Sequence, residues 1–225
     1  MKTKVCFTFD DNFKESFSRI AELYESFGIR ALFACVGRPP SDWEPIGLGD
    51  WKIWNELVAR GHAVEPHGLD HSNFSEKTED QAREDVLECI KIYRSELEGF
   101  DPNRSFWHYP FNTDLPSVNP WILEHFAGIR SGGTGMNTES DLNSRILRVT
   151  TFGPGDCGSH LRETIDQAER IKPKLLFYCM HGVDGQGWGP IKLTDLSEAI
   201  KRIKGSEQFE MINPADLIPL VLRVG

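Results

Sequence analysis

Apolar positions along this 225-residue chain switch repeatedly between two periods. Residues 4–9 form a short apolar run of β type. Behind it Phe13, Phe17, Ile20, Tyr24 and Phe27 fall on one 3.6-period face over residues 13–27. That spacing predicts a buried strand leading into an amphipathic helix, with Asn12 as its cap and Gly28 as its end. The unit then repeats. Residues 31–36 read as a second strand and 39–50 as a loop rich in Pro, Gly and Trp. A helix capped by Asp50 runs to Arg60 and is closed by Gly61, and 63–65 form a third strand. Thr78 and Gln81 make a capping box for a helix over 79–98. Its stripe is Val86, Ile90, Tyr93 and Leu97, and Gly99 terminates it.

The second half keeps the alternation more loosely. Residues 106–109 are strand-like, and Asn119-Pro120 opens a short helix with Asn as cap. Short strands at 128–130 and 146–149 flank an irregular Gly/Ser/Asn segment. Leu161, Ile165, Ala168 and Ile171 mark a further helix, 175–180 is the strongest strand, 195–204 a helix and 209–212 a last strand. Asn213-Pro214 starts a final helix. With no internal repeat, low-complexity tract or long linker, the expectation is one domain over residues 1–225.

Repeated β-α units imply parallel strands with helices packed outside. An open sheet would place its site at one switch point, whereas a barrel gathers side chains from many strand ends onto one rim. The unusual polar residues follow the first, third, fourth and seventh strand-like runs. That spread selects an irregular barrel of the TIM type.

Composition narrows the class. Twenty-five Lys and Arg against 34 Asp and Glu give a net charge of −9, which argues against a nucleic-acid or anionic-membrane surface. No apolar stretch approaches the ~20 residues that span a bilayer. No signal-peptide core follows Met1, so the expected location is cytoplasmic. Five cysteines, with no Cys-x-x-Cys pair, are expected to be buried and reduced rather than a disulfide framework or thiolate zinc site.

Three polar clusters could carry chemistry. Thr8-Phe9-Asp10-Asp11 ends an apolar strand in two carboxylates, which repel unless a cation offsets them. Alone, the pair reads equally well as a solvated turn. His67-Gly68-Leu69-Asp70-His71 offers two imidazoles four apart, presented from a turn because Pro66 and Gly68 break regular structure. Asp11, His67 and His71 together give one oxygen and two nitrogens. That set suits Zn²⁺ or another borderline divalent ion such as Co²⁺, Ni²⁺, Fe²⁺ or Mn²⁺, with positions left open. His181 closes the 175–180 strand; alone it reads as a core residue, on a barrel rim as an acid. His62, His125 and His160 read as surface or capping residues. Trp43, Trp51, Trp54, Trp107 and Trp188 could offer flat faces to sugar rings, Trp51 and Trp54 more simply covering a helix–barrel seam.

Four ordered motifs resemble those of the polysaccharide deacetylases, carbohydrate esterase family 4 with its NodB homology domain. They are Thr-Phe-Asp-Asp at 8–11, Gly-His-Ala-Val-Glu-Pro-His-Gly-Leu-Asp-His at 61–71, Trp-His-Tyr-Pro-Phe-Asn at 107–112 and Leu-Leu-Phe-Tyr-Cys-Met-His at 175–181. The resemblance implies an irregular (β/α)7 barrel and metal-dependent removal of N- or O-acetyl groups from a carbohydrate by a metal-bound water. By the same resemblance Asp10 is the general base, Asp11, His67 and His71 hold the metal, the Tyr109 backbone N–H helps hold the oxyanion, and His181 is the general acid.

The departures are specific. Asn12 stands where the family has Gly, His108 stands where it has a third-motif Arg, and the fourth motif has no clear match. Arg130, in Gly-Ile-Arg-Ser, is the candidate to supply the missing charge. Two alternatives stand beside an acetylated sugar as substrate. One is a cytoplasmic amidohydrolase for a small non-sugar amide, cyclic imide or ureide; the other is a non-catalytic sugar-binding descendant of the fold.

Overall fold

Of the chain, the computed structural model describes residues 2–222, apart from the side chains of residues 44–46. The order is β1 (Thr3–Asp10), α1 (Lys14–Ser26), β2 (Leu32–Cys35), α2 (Trp51–Ala59), β3 (Ala63–Pro66), α3 (Glu79–Glu96), β4 (Phe106–His108) and α4 (Asn119–Ile122). It continues β5 (Gly128–Gly132), β6 (Met136–Asn137), α5 (Glu139–Ser144), β7 (Ile146–Val149), α6 (Gly158–Ile171), β8 (Leu175–Met180), α7 (Leu193–Gly205), β9 (Phe209–Met211) and α8 (Leu217–Leu222).

Parallel pairing runs β3–β2–β1–β8 in one sheet and β4–β5–β7 in a second. Thr150, just past β7, joins the two. Its N–H donates to the Phe177 carbonyl at 3.2 Å, and its carbonyl accepts from the Cys179 N–H at 2.8 Å. The seven parallel strands therefore follow one another around an irregular (β/α)7 barrel. The ring is unlaced at one place: among the described residues, β3 and β4 share no ladder. β9 pairs with the first residues of β1, and β6 runs antiparallel to β8.

Two-residue periodicity separates the apolar clusters. Val5, Phe7 and Phe9 of β1 join the core under the helices, while Cys6 joins a second core with Leu32, Phe106, Leu147 and Phe177. In the first, Phe17 of α1 stacks on Phe33 at 4.5 Å and meets Trp54 of α2 at 5.6 Å. Each such buried aromatic contributes roughly 1.5–3 kcal/mol. Trp54 is thus a seam residue, as its helical setting implied, and Trp107 is buried in the core, where it presents no face to a ligand. All five cysteines are buried and free.

Caps account for most differences from expectation. Asp50 and the Thr78–Gln81 box start α2 and α3 as the sequence predicts. Asn12 does not cap α1. At φ +62° its Oδ1 accepts from the Val36 N–H at 2.7 Å and its Nδ2 donates to the Val36 carbonyl at 3.1 Å, clamping the end of β1 to the end of β2. Asn119 lies inside α4, where its Oδ1 accepts from the Tyr109 hydroxyl. His62 is buried rather than exposed, and its Nδ1 accepts from the Ala31 N–H at 3.0 Å. The irregular segment after β5 holds β6 and α5, both too short to leave a periodic signature.

Candidate active site

The carboxyl ends of β1, β3, β4 and β8, with Thr151 just past β7, converge on a pocket of about 420 Å³, lined by Asp10, Asp11, His67, His71 and His181 under a collar of aromatic rings. Larger or more open hollows elsewhere on the molecule contain none of this set. Asp10 is the last residue of β1, and Asp11 (φ +78°) and Asn12 (φ +62°) turn the chain through the left-handed region that Asp and Asn tolerate. His71, Phe111 and Asn112 also have positive φ. Such strain of order 1–3 kcal/mol per residue persists where surrounding contacts over-determine it. Here the Asn12 clamp fixes the first turn.

Asp11, His67 and His71 each place one donor atom within 4.8 Å of the others. His67 Nε2 is 3.5 Å and His71 Nε2 3.3 Å from Asp11 Oδ1, and that oxygen is buried with no hydrogen-bond partner among the described residues. An orphaned carboxylate oxygen facing two imidazole nitrogens is the arrangement a divalent cation completes. His67 Nδ1 lies 3.1 Å from the His108 carbonyl, which assigns the proton to Nδ1 and leaves Nε2 as the free donor atom. Burial pushes the His67 imidazole below its ordinary pKa against the pull of Asp10, favouring the neutral form a ligand needs.

Asp10 is held differently. Arg130, fully buried on β5, meets its two carboxylate oxygens with two bonds of 2.7 Å. Burial alone would raise the Asp10 carboxyl; the Arg130 guanidinium, helped by His67, outweighs it and holds the group well below the usual carboxylate range. The charge missing from position 108 thus arrives from the neighbouring strand. His108 does not face Asp10: its Nε2 is 2.7 Å from Glu65 Oε2 behind the site.

His181 stands across the pocket with Nε2 3.6 Å from Asp11 Oδ2, its ring edge-on to Trp188 at 5.4 Å. Its buried Nδ1 has no partner among the described residues, so no carboxylate stands behind it. Trp43 and Phe111 flank His71 at 4.9 and 4.6 Å. Phe111 and Trp188 remain exposed, 60% and 47%, as the collar of the pocket.

One expectation needs correction. The Tyr109 N–H donates to the Arg130 carbonyl at 3.2 Å, continuing the β4–β5 ladder, and is not free to serve the pocket. The Phe111 amide, two residues on in the turn that lines the pocket, has no such partner among the described residues. The sequence reading also passed over Glu65. The available signal was a carboxyl inside the four-residue apolar strand Ala-Val-Glu-Pro.

Comparison with known proteins bears on this geometry. The family model described as polysaccharide deacetylase matches residues 1–115. No curated protein matches the sequence. Among solved structures, a putative polysaccharide deacetylase from Mycobacterium smegmatis superposes with a TM-score of 0.68 at 12% identity, over 98% of this chain and 90% of that one. The Xyl-CE4 domain of a multidomain xylanase from the hindgut metagenome of Trinervitermes trinervoides gives 0.60 at 14% identity, over 96% and 90%. A CE4 family pseudoenzyme from Bacillus anthracis gives 0.64 at 14%, over 96% and 66%. At such identities these are likenesses of fold.

Proposed function

The chain belongs to the polysaccharide deacetylase family, and from that premise we propose that it is a divalent-metal-dependent hydrolase that removes an acetyl group from an acetylated carbohydrate. The observation that carries the reading is the convergence, in one pocket, of the Asp11–His67–His71 trio with an Arg-paired Asp10 and with His181.

Asp11, His67 and His71 would hold the cation, Zn²⁺ first, with Co²⁺, Ni²⁺, Fe²⁺ or Mn²⁺ as alternatives. When bound, such an ion supplies Lewis acidity and lowers the pKa of coordinated water toward ~7. Asp10 is the proton acceptor. Arg130 keeps it ionised and fixes both of its oxygens, so that the carboxylate is aimed before substrate arrives. Arg130 is therefore a positioning residue. The oxyanion formed on attack at the acetyl carbon needs an N–H donor; with the Tyr109 amide committed, the Phe111 amide takes that place. Losing one such donor typically costs ~3–4 kcal/mol of transition-state stabilisation. His181, on the opposite wall, carries the proton to the departing nitrogen or oxygen. Trp43, Phe111 and Trp188 give the pocket apolar faces for a sugar ring.

A second reading, hydrolysis of a small non-sugar amide, draws support from the same collar, since three rings around about 420 Å³ frame a compact ligand as well as one sugar unit. Acetate release separates the two. Metal-loaded protein is expected to liberate acetate from N-acetylated or O-acetylated saccharides, and activity confined to cyclic imides, ureides or simple amides would select the second. Saccharide binding without turnover under Zn²⁺, Co²⁺, Ni²⁺, Fe²⁺ or Mn²⁺ would contradict both and align the chain with the pseudoenzymes.

A further inference from the structure

The unlaced edge of the barrel lies directly behind the trio. Neighbouring strands in a closed ring hold each other by backbone bonds, yet β3 and β4 share none among the described residues, and Pro66 at the end of β3 has no N–H to give. Side chains take over the joint. The Phe106 N–H donates to Glu65 Oε2 at 3.2 Å, and the same oxygen lies 2.7 Å from His108 Nε2. One residue beyond β3, His67 Nδ1 meets the carbonyl of His108 at 3.1 Å. From the helix layer, the Tyr93 hydroxyl donates to the carbonyls of both Cys35 and Glu65, fixing β3 against β2.

We propose that Glu65 and His108 are positioning residues for the ligand His67, acting as a side-chain lace across the β3/β4 edge; the inference rests on the metal reading of the trio. Glu65 is 5% and His108 0% exposed, and neither lines the pocket. A buried carboxyl is costly unless its hydrogen bonds are satisfied, and an apolar side chain would fill the same space without that cost. What a carboxyl provides is one oxygen that meets two groups of β4, the backbone N–H of Phe106 and the ring Nε2 of His108. Those bonds hold the β4 backbone, and with it the His108 carbonyl, at a fixed distance from β3. The carbonyl in turn takes the Nδ1 proton of His67 and turns Nε2 toward Asp11. Thus His108, in the position where the resemblance implies a guanidinium for Asp10, serves a metal ligand instead, and Arg130 serves Asp10.

The test compares Zn²⁺ or Co²⁺ affinity, measured against a chromophoric chelator, for the wild type and the Glu65→Gln, Glu65→Ala and His108→Gln proteins. One cation per wild-type chain is expected. Glu65→Ala and His108→Gln should bind ~10–100-fold more weakly, the usual range for loss of a partner behind a ligand. Glu65→Gln, which keeps an acceptor for Phe106, should recover most of the affinity. Nitrogen-15 NMR of the metal-free proteins gives a second readout: His67 as the Nδ1–H tautomer in the wild type, and a tautomer mixture in Glu65→Ala and His108→Gln. A role in stability alone would lower the melting temperature and leave tautomer and affinity unchanged. If Glu65→Ala fails to fold, His108→Gln and Glu65→Gln carry the same comparison. A wild type that binds no cation overturns the metal reading and this inference with it. A wild type that binds, with folded variants of equal affinity and tautomer, overturns the inference alone.

Discussion

Arg130 and Asp10 form a buried pair whose worth lies in its geometry. Two parallel bonds fix the carboxylate plane, and removing one partner would strand the other charge in the interior. Arg130→Met is therefore expected to lose ~3–5 kcal/mol of folding free energy in denaturant titration. Asp10→Asn/Arg130→Met should recover part of that loss, and additive losses would contradict the coupling. Asp10→Asn alone should retain the cation by elemental analysis and lose roughly 10²–10⁴-fold in turnover, the span a positioned base contributes. Wild-type turnover in that variant would remove Asp10 from its role. At this scale Asp10, Asp11, His67, His71 and His181 stood out in the sequence because each ends or follows an apolar strand where a polar side chain is conspicuous, and the structure lines one pocket with all five. The sequence was misleading at Tyr109. The amide of a residue directly following a strand was still engaged in the ladder, and side-chain patterning carries no information on where a backbone N–H is spent. At Glu65 the sequence showed a carboxyl inside a short apolar strand but not its role, because the partners lie 41 and 43 positions away.

Strand ends and helix caps decide how the elements hold these residues. Asp50 and Thr78 were legible as caps because the bond is local, made to an N–H three residues on. Asn12 and Asn119 were misread for the opposite reason: their amides bond across the fold, to Val36 and to Tyr109, and local propensity cannot see that competition. A tie between elements sets one pH dependence. Glu25 at the end of α1 accepts two bonds of 2.9 Å from Arg60, just past α2, and lies 3.1 Å from His62 Nε2. The Arg60 bonds first, then His62, hold its carboxyl at about 2. A carboxyl whose folded value is depressed contributes stability that is fully present above its unfolded value, near 4.5, and is lost as pH falls through about 2. Stability of the wild type, from urea titrations at stepped pH, should thus decline over that acid window more steeply than that of Arg60→Ala. Parallel curves would refute the assignment. The size of the difference is modest, since the pair is partly open to solvent.

Seen whole, the molecule is a ring of seven parallel strands with one edge stitched by side chains and a rim that faces the pocket. The alternation of strand and helix signals was enough to select parallel strands with helices packed outside, since β-α repetition leaves few ways to bury both faces. The polar residues spread over several strand ends then chose a barrel over an open sheet. The unlaced β3/β4 edge was not legible, because strand pairing is a long-range property and both strands look ordinary alone. No helix among the described residues is long and apolar enough to cross a membrane. The central claim is that this rim holds one divalent cation between Asp11, His67 and His71. Anomalous diffraction at the zinc edge, from crystals of the wild-type protein grown with Zn²⁺, tests it most directly. One strong peak per chain is expected, about 2.0–2.2 Å from a carboxylate oxygen of Asp11 and from the Nε2 atoms of His67 and His71. An absent peak, or one bound by other residues while these three keep only their mutual contacts, would contradict it.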